Sequence, residues 1–204
     1  MGEIVLYIHG KGGSAAESRH YQALFPDCEV LGLDYRSSVP WEAGGEIRGV
    51  VNALRNRCGS ITLIANSIGA YFSMCAGIDD AIRRAYFISP IVDMERLIVG
   101  MMRQANVSEA ALRASGTIPT TFGEDLSWEY LSWVRAHPLR WATPTRILYG
   151  ENDALTPREA VEAFARAHRA GLTVMPEGEH WFHTEEQMRF LDNWIMKDRE
   201  GEET

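Results

Sequence analysis

The chain predicts an α/β fold: a mostly parallel six-stranded sheet flanked by helices on both faces, with a small helical cap insertion after the fourth strand. Three observations predict it. Short apolar, β-branched runs alternate along the chain with stretches whose apolar residues fall at helical spacing. Capping residues recur at the junctions between them. Residues suited to chemistry stand just past several of the apolar runs, where open α/β sheets gather their reactive groups. At 204 residues the chain fits one domain, 1–204, and a chain of this length buries about 70% of its unfolded surface.

Ile4-Val5-Leu6-Tyr7-Ile8 is the first strand, apolar enough to be buried on both faces, and ends in His9-Gly10-Lys11-Gly12-Gly13. Ser14 and Glu17 form a capping box that opens a helix to about Leu24. Glu29 to Leu33 is the second strand, followed by Asp34-Tyr35. From Glu46, the residues Ile47, Val50, Val51 and Leu54 make one face of a helix that Gly59 stops. Ile61 to Ala65 is the third strand, with a helix after it to about Ala76; Ala85 to Ile88 is the fourth, closed by Ser89-Pro90.

There the alternation breaks. Residues 91–141 read as helical segments only, at Met94–Gln104, Glu109–Ala114 and Ser127–Ala136, punctuated by Gly116, Pro119 and Gly123. The insertion carries Met101, Met102, Phe122, Trp128, Tyr130 and Trp133, which suit either an extra helical layer or a lid lining an apolar pocket. Arg146 to Tyr149 resumes the strands and leads into Gly150-Glu151-Asn152-Asp153. Thr156 as N-cap, Pro157 at the first helical position and Glu159 mark the next helix. Leu172 to Met175 is the sixth strand, and the loop Pro176 to Phe182 follows. Thr184 and Gln187 cap a last helix whose buried stripe is Met188, Leu191, Trp194 and Ile195; Lys197 to Thr204 reads as a charged, frayed tail.

Composition narrows the function classes. A net charge of −8 without a basic stripe disfavours a nucleic-acid partner. The three cysteines Cys28, Cys58 and Cys75 are odd in number and far apart, so they read as reduced thiols rather than a disulfide frame or zinc site. Cys75, two helical turns past Ser67, suits the core. Ile4 to Ile8 is too short for a signal peptide or membrane span, and Leu6 breaks the pattern that Met1-Gly2 would need for lipidation. The expectation is a cytoplasmic protein with no membrane partner. No metal-ligand spacing is visible, and neither phosphate-loop pattern fits Gly10-Lys11-Gly12-Gly13, so no metal or cofactor is expected.

The stretch Ile61 to Phe72 reads as a strand, a tight turn at Asn66-Ser67 and a helix that begins with small residues. Such a unit holds one serine hydroxyl in the open, and Gly69 and Ala70 give the small positions that close packing requires. In the G-x-S-x-G pattern the first glycine is here Ala65, the mildest departure. Asp153 and His180 stand past the fifth and sixth strands. Glu151 competes with Asp153, which would otherwise cap its turn. His183 competes with His180, although at a helix start it suits capping or packing on Trp181.

With HGKGG, ANSIGA, GENDALTP and GEHWF in this order, the chain from Ile4 to Ile195 resembles a small α/β-hydrolase-fold serine hydrolase, esterase-like, lacking the two antiparallel strands that often begin that fold. The resemblance implies Ser67 as nucleophile, His180 as its base and Asp153 as the group that orients the imidazole. It implies an oxyanion hole from the backbone N–H groups of Ile68 and Lys11, with His9 supporting the loop structurally. The implied reaction opens an ester, thioester or similar acyl bond of a small or medium, partly apolar small-molecule substrate through an acyl-enzyme, with no cofactor. The same triad could serve acyl transfer or carbon–carbon bond hydrolysis. The scaffold could also bind a ligand or protein without catalysis, or hold a nucleotide. His20, His137 and His168 have no partner motif and read as surface or core residues.

Overall fold

The computed structural model describes residues 2–201. In chain order it has β1 (Glu3–Ile8), a 3₁₀ segment (Ala15–Ala23), β2 (Glu29–Leu33), α1 (Pro40–Arg55), β3 (Ser60–Asn66), α2 (Ile68–Cys75), a short 3₁₀ turn (Asp79–Ala81) and β4 (Arg84–Ile88). Then come α3 (Met94–Gln104), α4 (Glu109–Ser115), β5 (Thr117–Pro119), β6 (Asp125–Ser127) and α5 (Trp128–Ala136). The chain ends with β7 (Thr145–Gly150), α6 (Arg158–His168), β8 (Gly171–Met175) and α7 (Glu185–Glu200). Two compact units result: Met1–Val92 with Arg140–Thr204, and Asp93–Leu139.

The larger unit holds a six-stranded sheet in the order β2-β1-β3-β4-β7-β8, and every neighbouring pair is parallel. Parallel sheets are covered on both faces, which is why the central strands are apolar at successive positions rather than alternating. Val5, Leu6, Tyr7 and Ile8 of β1 and Leu63, Ile64 and Ala65 of β3 are all buried. The chain goes from β1 outward to β2 and then returns to the other side of β1 as β3. The carboxyl ends of β1 and β3 therefore flank the point where the winding reverses, the place such sheets bind ligands.

Several elements differ from the sequence expectation, each for a physical reason. The first helix is 3₁₀, not α, over nine residues. A 3₁₀ run that long is uncommon by itself; this one is held from outside. Asp34 accepts from the Ala15 N–H at 2.5 Å, the Tyr7 hydroxyl donates to Glu17, and Tyr21 packs on Tyr7 with ring centroids 5.2 Å apart. Helix α1 starts at Pro40 rather than Glu46, because proline at its start pre-sets φ. Gly44 and Gly45 hide that first part from any hydrophobic pattern. Gly44 packs against the end of α2: a Cβ on it would lie at ordinary contact distance, 3.4 Å, from the Ala76 backbone.

The expected capping by Thr156 is not made. Pro157 is the N-cap, and the Thr156 hydroxyl is buried with no hydrogen-bond partner among the described residues. The Asp153 carboxylate instead closes the turn before the helix, accepting from the N–H groups of Leu155 at 2.8 Å and Thr156 at 3.1 Å. The Thr184 and Gln187 capping box is present at the start of α7. That helix runs through Lys197 to Glu200 instead of fraying at Lys197. Asp198 anchors it, bound by Arg84 at 2.9 Å and Arg146 at 2.6 Å. Residues 202–204 of the expected tail, and Met1 of the lipidation pattern, lie outside the described residues.

The smaller unit corrects a further expectation, that this segment is wholly helical. β5 and β6 form an antiparallel pair, with Thr117 opposite Ser127 and Pro119 opposite Asp125. The strands are too short to show a period. Their turn rests on Gly123 at φ +84° and on Thr120, whose hydroxyl donates to the Glu124 carbonyl at 2.5 Å. Asp93, Ser108 and Ser127 cap α3, α4 and α5 through their side chains. Arg135 of α5 joins the three helices by bonding Glu95 at 2.7 Å and Glu109 at 2.8 Å.

Candidate active site

Ser67 sits between β3 and α2 at φ 49° and ψ −119°, a conformation that costs a non-glycine residue on the order of 1–3 kcal/mol. Its surroundings hold it there. Its N–H donates to the Ile88 carbonyl at 2.9 Å, and its carbonyl accepts from the Ile91 N–H at 3.2 Å. Both bonds reach the end of β4 and the residues after it, so the neighbouring strand clamps the turn. Gly69 leaves room for the close crossing of α2 over β1: a Cβ there would lie 2.8 Å from the Ile8 carbonyl oxygen and would collide with that of His9. The Gly69→Ala protein should therefore show a thermal midpoint several degrees below wild type, by differential scanning fluorimetry, because only backbone could yield. An unchanged midpoint would show that the crossing is looser than described.

Asp153 and His180 arrive from neighbouring loops beyond β7 and β8. Those loops are bound to each other: the Asn152 N–H donates to the Gly178 carbonyl at 2.7 Å, and the Glu151 N–H to the Met175 carbonyl at 3.0 Å. Gly150 and Gly178 permit the contact, since a Cβ on Gly150 would lie 2.6 Å from the Gly178 backbone. His180 then spans the other two residues. Its Nδ1 is 2.7 Å from Asp153 Oδ2 and its Nε2 is 2.8 Å from Ser67 Oγ. The Asp153 side chain is fully buried and that of His180 is 18% exposed. A carboxylate can only accept, so Nδ1 carries the proton and Nε2 is left to accept the Ser67 hydroxyl. In that tautomer the imidazole can remove the serine proton.

The competing residues are occupied elsewhere. The Glu151 carboxylate accepts the Glu177 N–H at 3.1 Å. His183 hydrogen-bonds the Trp181 carbonyl through Nδ1 at 2.8 Å and stacks on the Trp181 ring, centroids 4.4 Å apart. Among the others, His20 bonds Asp192 at 2.6 Å, His168 bonds the Trp141 carbonyl, and His137 stacks on Trp133.

The loop after β1 lies against the serine: a Cβ on Gly10 would be 3.2 Å from Ser67 Cβ. A turn holds Lys11 and Gly12, closed by the Gly13 N–H to the Gly10 carbonyl, with Gly12 at φ +74°. His9 supports it, donating from Nδ1 to the Gly10 carbonyl at 2.7 Å and stacking on Tyr35 at 4.4 Å. Tyr35 in turn donates to the His9 carbonyl at 3.0 Å. Ile68 is the first residue of α2, so its N–H belongs to the helix end that has no intrahelical acceptor.

Sequence reasoning passed over one connection. Asn66, just before the serine, donates from Nδ2 to the Tyr7 hydroxyl at 2.9 Å, and that hydroxyl donates to Glu17. The second Glu17 oxygen accepts the Ser14 N–H at 3.1 Å. This path ties the turn at Ser67 to the segment just after the Lys11 loop. A tyrosine inside an otherwise aliphatic strand was its only trace in the sequence. Burial drives the Tyr7 phenol far above its ordinary pKa, with Tyr21 and Glu17 adding to the effect, so it remains a donor.

No group of three or more His, Cys, Asp or Glu among the described residues is arranged to hold a metal, and no helix there is long and apolar enough to cross a membrane. Compared with known proteins, residues 5–192 match the model of the alpha/beta hydrolase family. Among solved structures the chain is similar to Est1E from Butyrivibrio proteoclasticus with ferulic acid bound, at 18% identity and a TM-score of 0.75, covering 97% of this chain and 88% of that one. It is also similar to mouse alpha/beta hydrolase domain-containing protein 10, at 14% identity and a TM-score of 0.70, covering 100% and 92%. A third is the Paleococcus ferrophilus monoacylglycerol lipase, at 15% identity and a TM-score of 0.65, covering 95% and 94%. A search of curated proteins by sequence found no match.

Proposed function

Because the chain belongs to the alpha/beta hydrolase family, we propose that it is a serine hydrolase that cleaves an ester, thioester or similar acyl bond through an acyl-enzyme on Ser67. One observation carries this reading: the unbroken hydrogen-bonded chain from Ser67 through His180 to Asp153, at 2.8 Å and 2.7 Å. His180 Nε2 takes the hydroxyl proton as Ser67 Oγ attacks the acyl carbon, and the imidazolium formed is stabilised by the Asp153 carboxylate. The N–H groups of Ile68 and Lys11 receive the oxyanion, each worth roughly 2.7–4 kcal/mol in the transition state. His180 then protonates the leaving alcohol or thiol. Water, deprotonated by the same nitrogen, releases the acid and restores Ser67.

The substrate in this reading is a small or medium, partly apolar acyl compound. The three unpaired thiols Cys28, Cys58 and Cys75 suit a reducing, cytoplasmic setting. A fluorophosphonate probe tests the core of the proposal. It should label wild type and not Ser67→Ala, and activated esters and thioesters of graded chain length should be turned over. An unlabelled, inactive wild type would instead point to a scaffold that binds without catalysis.

The Asn66–Tyr7–Glu17 path would keep the serine turn in place relative to the Lys11 loop. Tyr7→Phe removes one hydroxyl and keeps the ring. A lost hydrogen bond of about 1–1.5 kcal/mol corresponds to roughly a tenfold lower kcat. KM should hardly change, since no ground-state contact is lost. A rise in KM at constant kcat would assign Tyr7 to substrate binding instead.

A further inference from the structure

Among the described residues, the large apolar side chains that stand exposed are Leu155 at 49%, Trp181 at 71% and Met196 at 39%. Single exposed apolar residues are ordinary on a protein surface. The first two are not scattered. Leu155 lies two positions past Asp153, and Trp181 directly follows His180. The loops that carry them are bound to each other through the Asn152 N–H and the Gly178 carbonyl at 2.7 Å. Both side chains therefore flank the acid and the base.

Neither is exposed through looseness. The Leu155 N–H donates to Asp153 Oδ1 at 2.8 Å, and Thr156 after it is buried. Phe182, after Trp181, is buried in the core. The Trp181 ring is stacked on His183 at 19° between the planes. His183 is itself held, donating from Nδ1 to the Trp181 carbonyl and from its backbone N–H to Gln187 Oε1 at 3.0 Å. An indole fixed in one orientation and open to water loses little further freedom when a ligand covers it. The ligand would remove a broad apolar surface from water.

The proposed reaction indicates which part of a substrate meets these residues. In the sheet order β2-β1-β3-β4-β7-β8, the loop that would help hold the oxyanion follows β1 and the nucleophile follows β3. The acid and the base follow β7 and β8 at the other side of the sheet. The substrate carbonyl oxygen is therefore drawn toward β1. The leaving atom must come within about 2.6–3.2 Å of His180 Nε2 to receive its proton. That draws the leaving group the opposite way, toward the loops of Leu155 and Trp181.

We propose that Trp181, with Leu155 on the adjoining loop, binds the substrate's leaving group, and that this group is an apolar, ring-bearing alcohol or thiol. His183 is a positioning residue for the Trp181 ring. In acylation the bond from Ser67 Oγ to the acyl carbon forms and the carbon–oxygen or carbon–sulfur bond breaks. The leaving atom keeps the electron pair and takes the proton that His180 removed from Ser67. This assignment rests on the serine-hydrolase reading and adds to it the chemical class of the leaving group.

Methyl and benzyl esters of one acid share an acyl group, and their alcohols are of similar acidity, so kcat/KM for the pair isolates recognition of the leaving group. Wild type should favour the benzyl ester, chiefly through a lower KM. W181A should reduce the benzyl-to-methyl ratio by about tenfold or more. W181F should retain most of the preference, and H183A should lose part of it because the indole is no longer held. A purely structural role for Trp181 would lower both esters alike, and an unchanged ratio in W181A would overturn the proposal. So would a change in W181A confined to the preference between acyl chains on a common leaving group.

Occupancy is read without turnover in the Ser67→Ala protein, labelled with nitrogen-15 at tryptophan. The Trp181 indole signal, identified by its loss on adding W181F, should shift saturably with the benzyl ester and not with the methyl ester. No saturable shift would overturn the proposal even where wild type hydrolyses both esters. A saturable shift without any turnover by wild type would support Trp181 as a binding residue and overturn the hydrolase reading alone.

Discussion

Replacing Ser67 or His180 by alanine is expected to lower kcat by on the order of 10⁶, with precedent in serine proteases. The two losses should not add, because the hydroxyl and the imidazole act as a unit: Ser67→Ala with His180→Ala should be no slower than either alone. The fold should survive, which makes the measurement clean. Ser67 is held by backbone bonds to Ile88 and Ile91 that do not involve its hydroxyl. The His180 side chain is partly exposed, so its removal opens no sealed core cavity. Steady-state hydrolysis of an activated ester, with the thermal midpoint recorded alongside, checks both. Retained turnover in His180→Ala together with loss in His183→Ala would transfer the base to His183.

Asp153→Asn should cost somewhat less, on the order of 10⁴ in kcat. The reason lies in the three bonds the carboxylate accepts, from His180 Nδ1, the Leu155 N–H and the Thr156 N–H. An asparagine has one acceptor oxygen. If that oxygen continues to serve the two backbone donors, the amide NH₂ faces His180 Nδ1 and can only donate. The imidazole must then carry its proton on Nε2, where it can no longer accept from Ser67. Nitrogen NMR of the imidazole should report that change of tautomer, with a modest change in thermal midpoint. Near wild-type turnover in Asp153→Asn would remove the residue from the mechanism. Glu151→Gln is the matching control and should be close to neutral for turnover, since that carboxylate serves the Glu177 backbone.

Much of this arrangement was legible in the residues. The β1 and β3 runs are apolar without alternation, as only doubly covered strands are, and that pattern placed the central sheet. Ser67 was visible because a strand ending in a polar residue and followed by small ones has few other uses. Asp153 and His180 were visible by their distance from strand ends. What could not be read was whatever depended on two distant segments meeting. The 3₁₀ segment looked α-helical because its capping residues are those of an α-helix, while Asp34 and Tyr7, which hold it, come from elsewhere in the chain. Asp198 looked like part of a loose tail because its two arginine partners lie 114 and 52 positions earlier. The β5–β6 pair was hidden for another reason: three residues per strand carry no measurable period.

The sequence by itself determined the order and type of the main elements and the identity of the residues past the strand ends. These follow from local backbone preference and from the burial pattern of each strand or helix, which adjacent residues largely specify. Only the tertiary structure decided which of two neighbouring acids and which of two neighbouring histidines face each other, and that Asn66 reaches Tyr7. Hydrogen bonds work over about 3 Å, and no local signal in the chain reports separations that small between residues far apart along it.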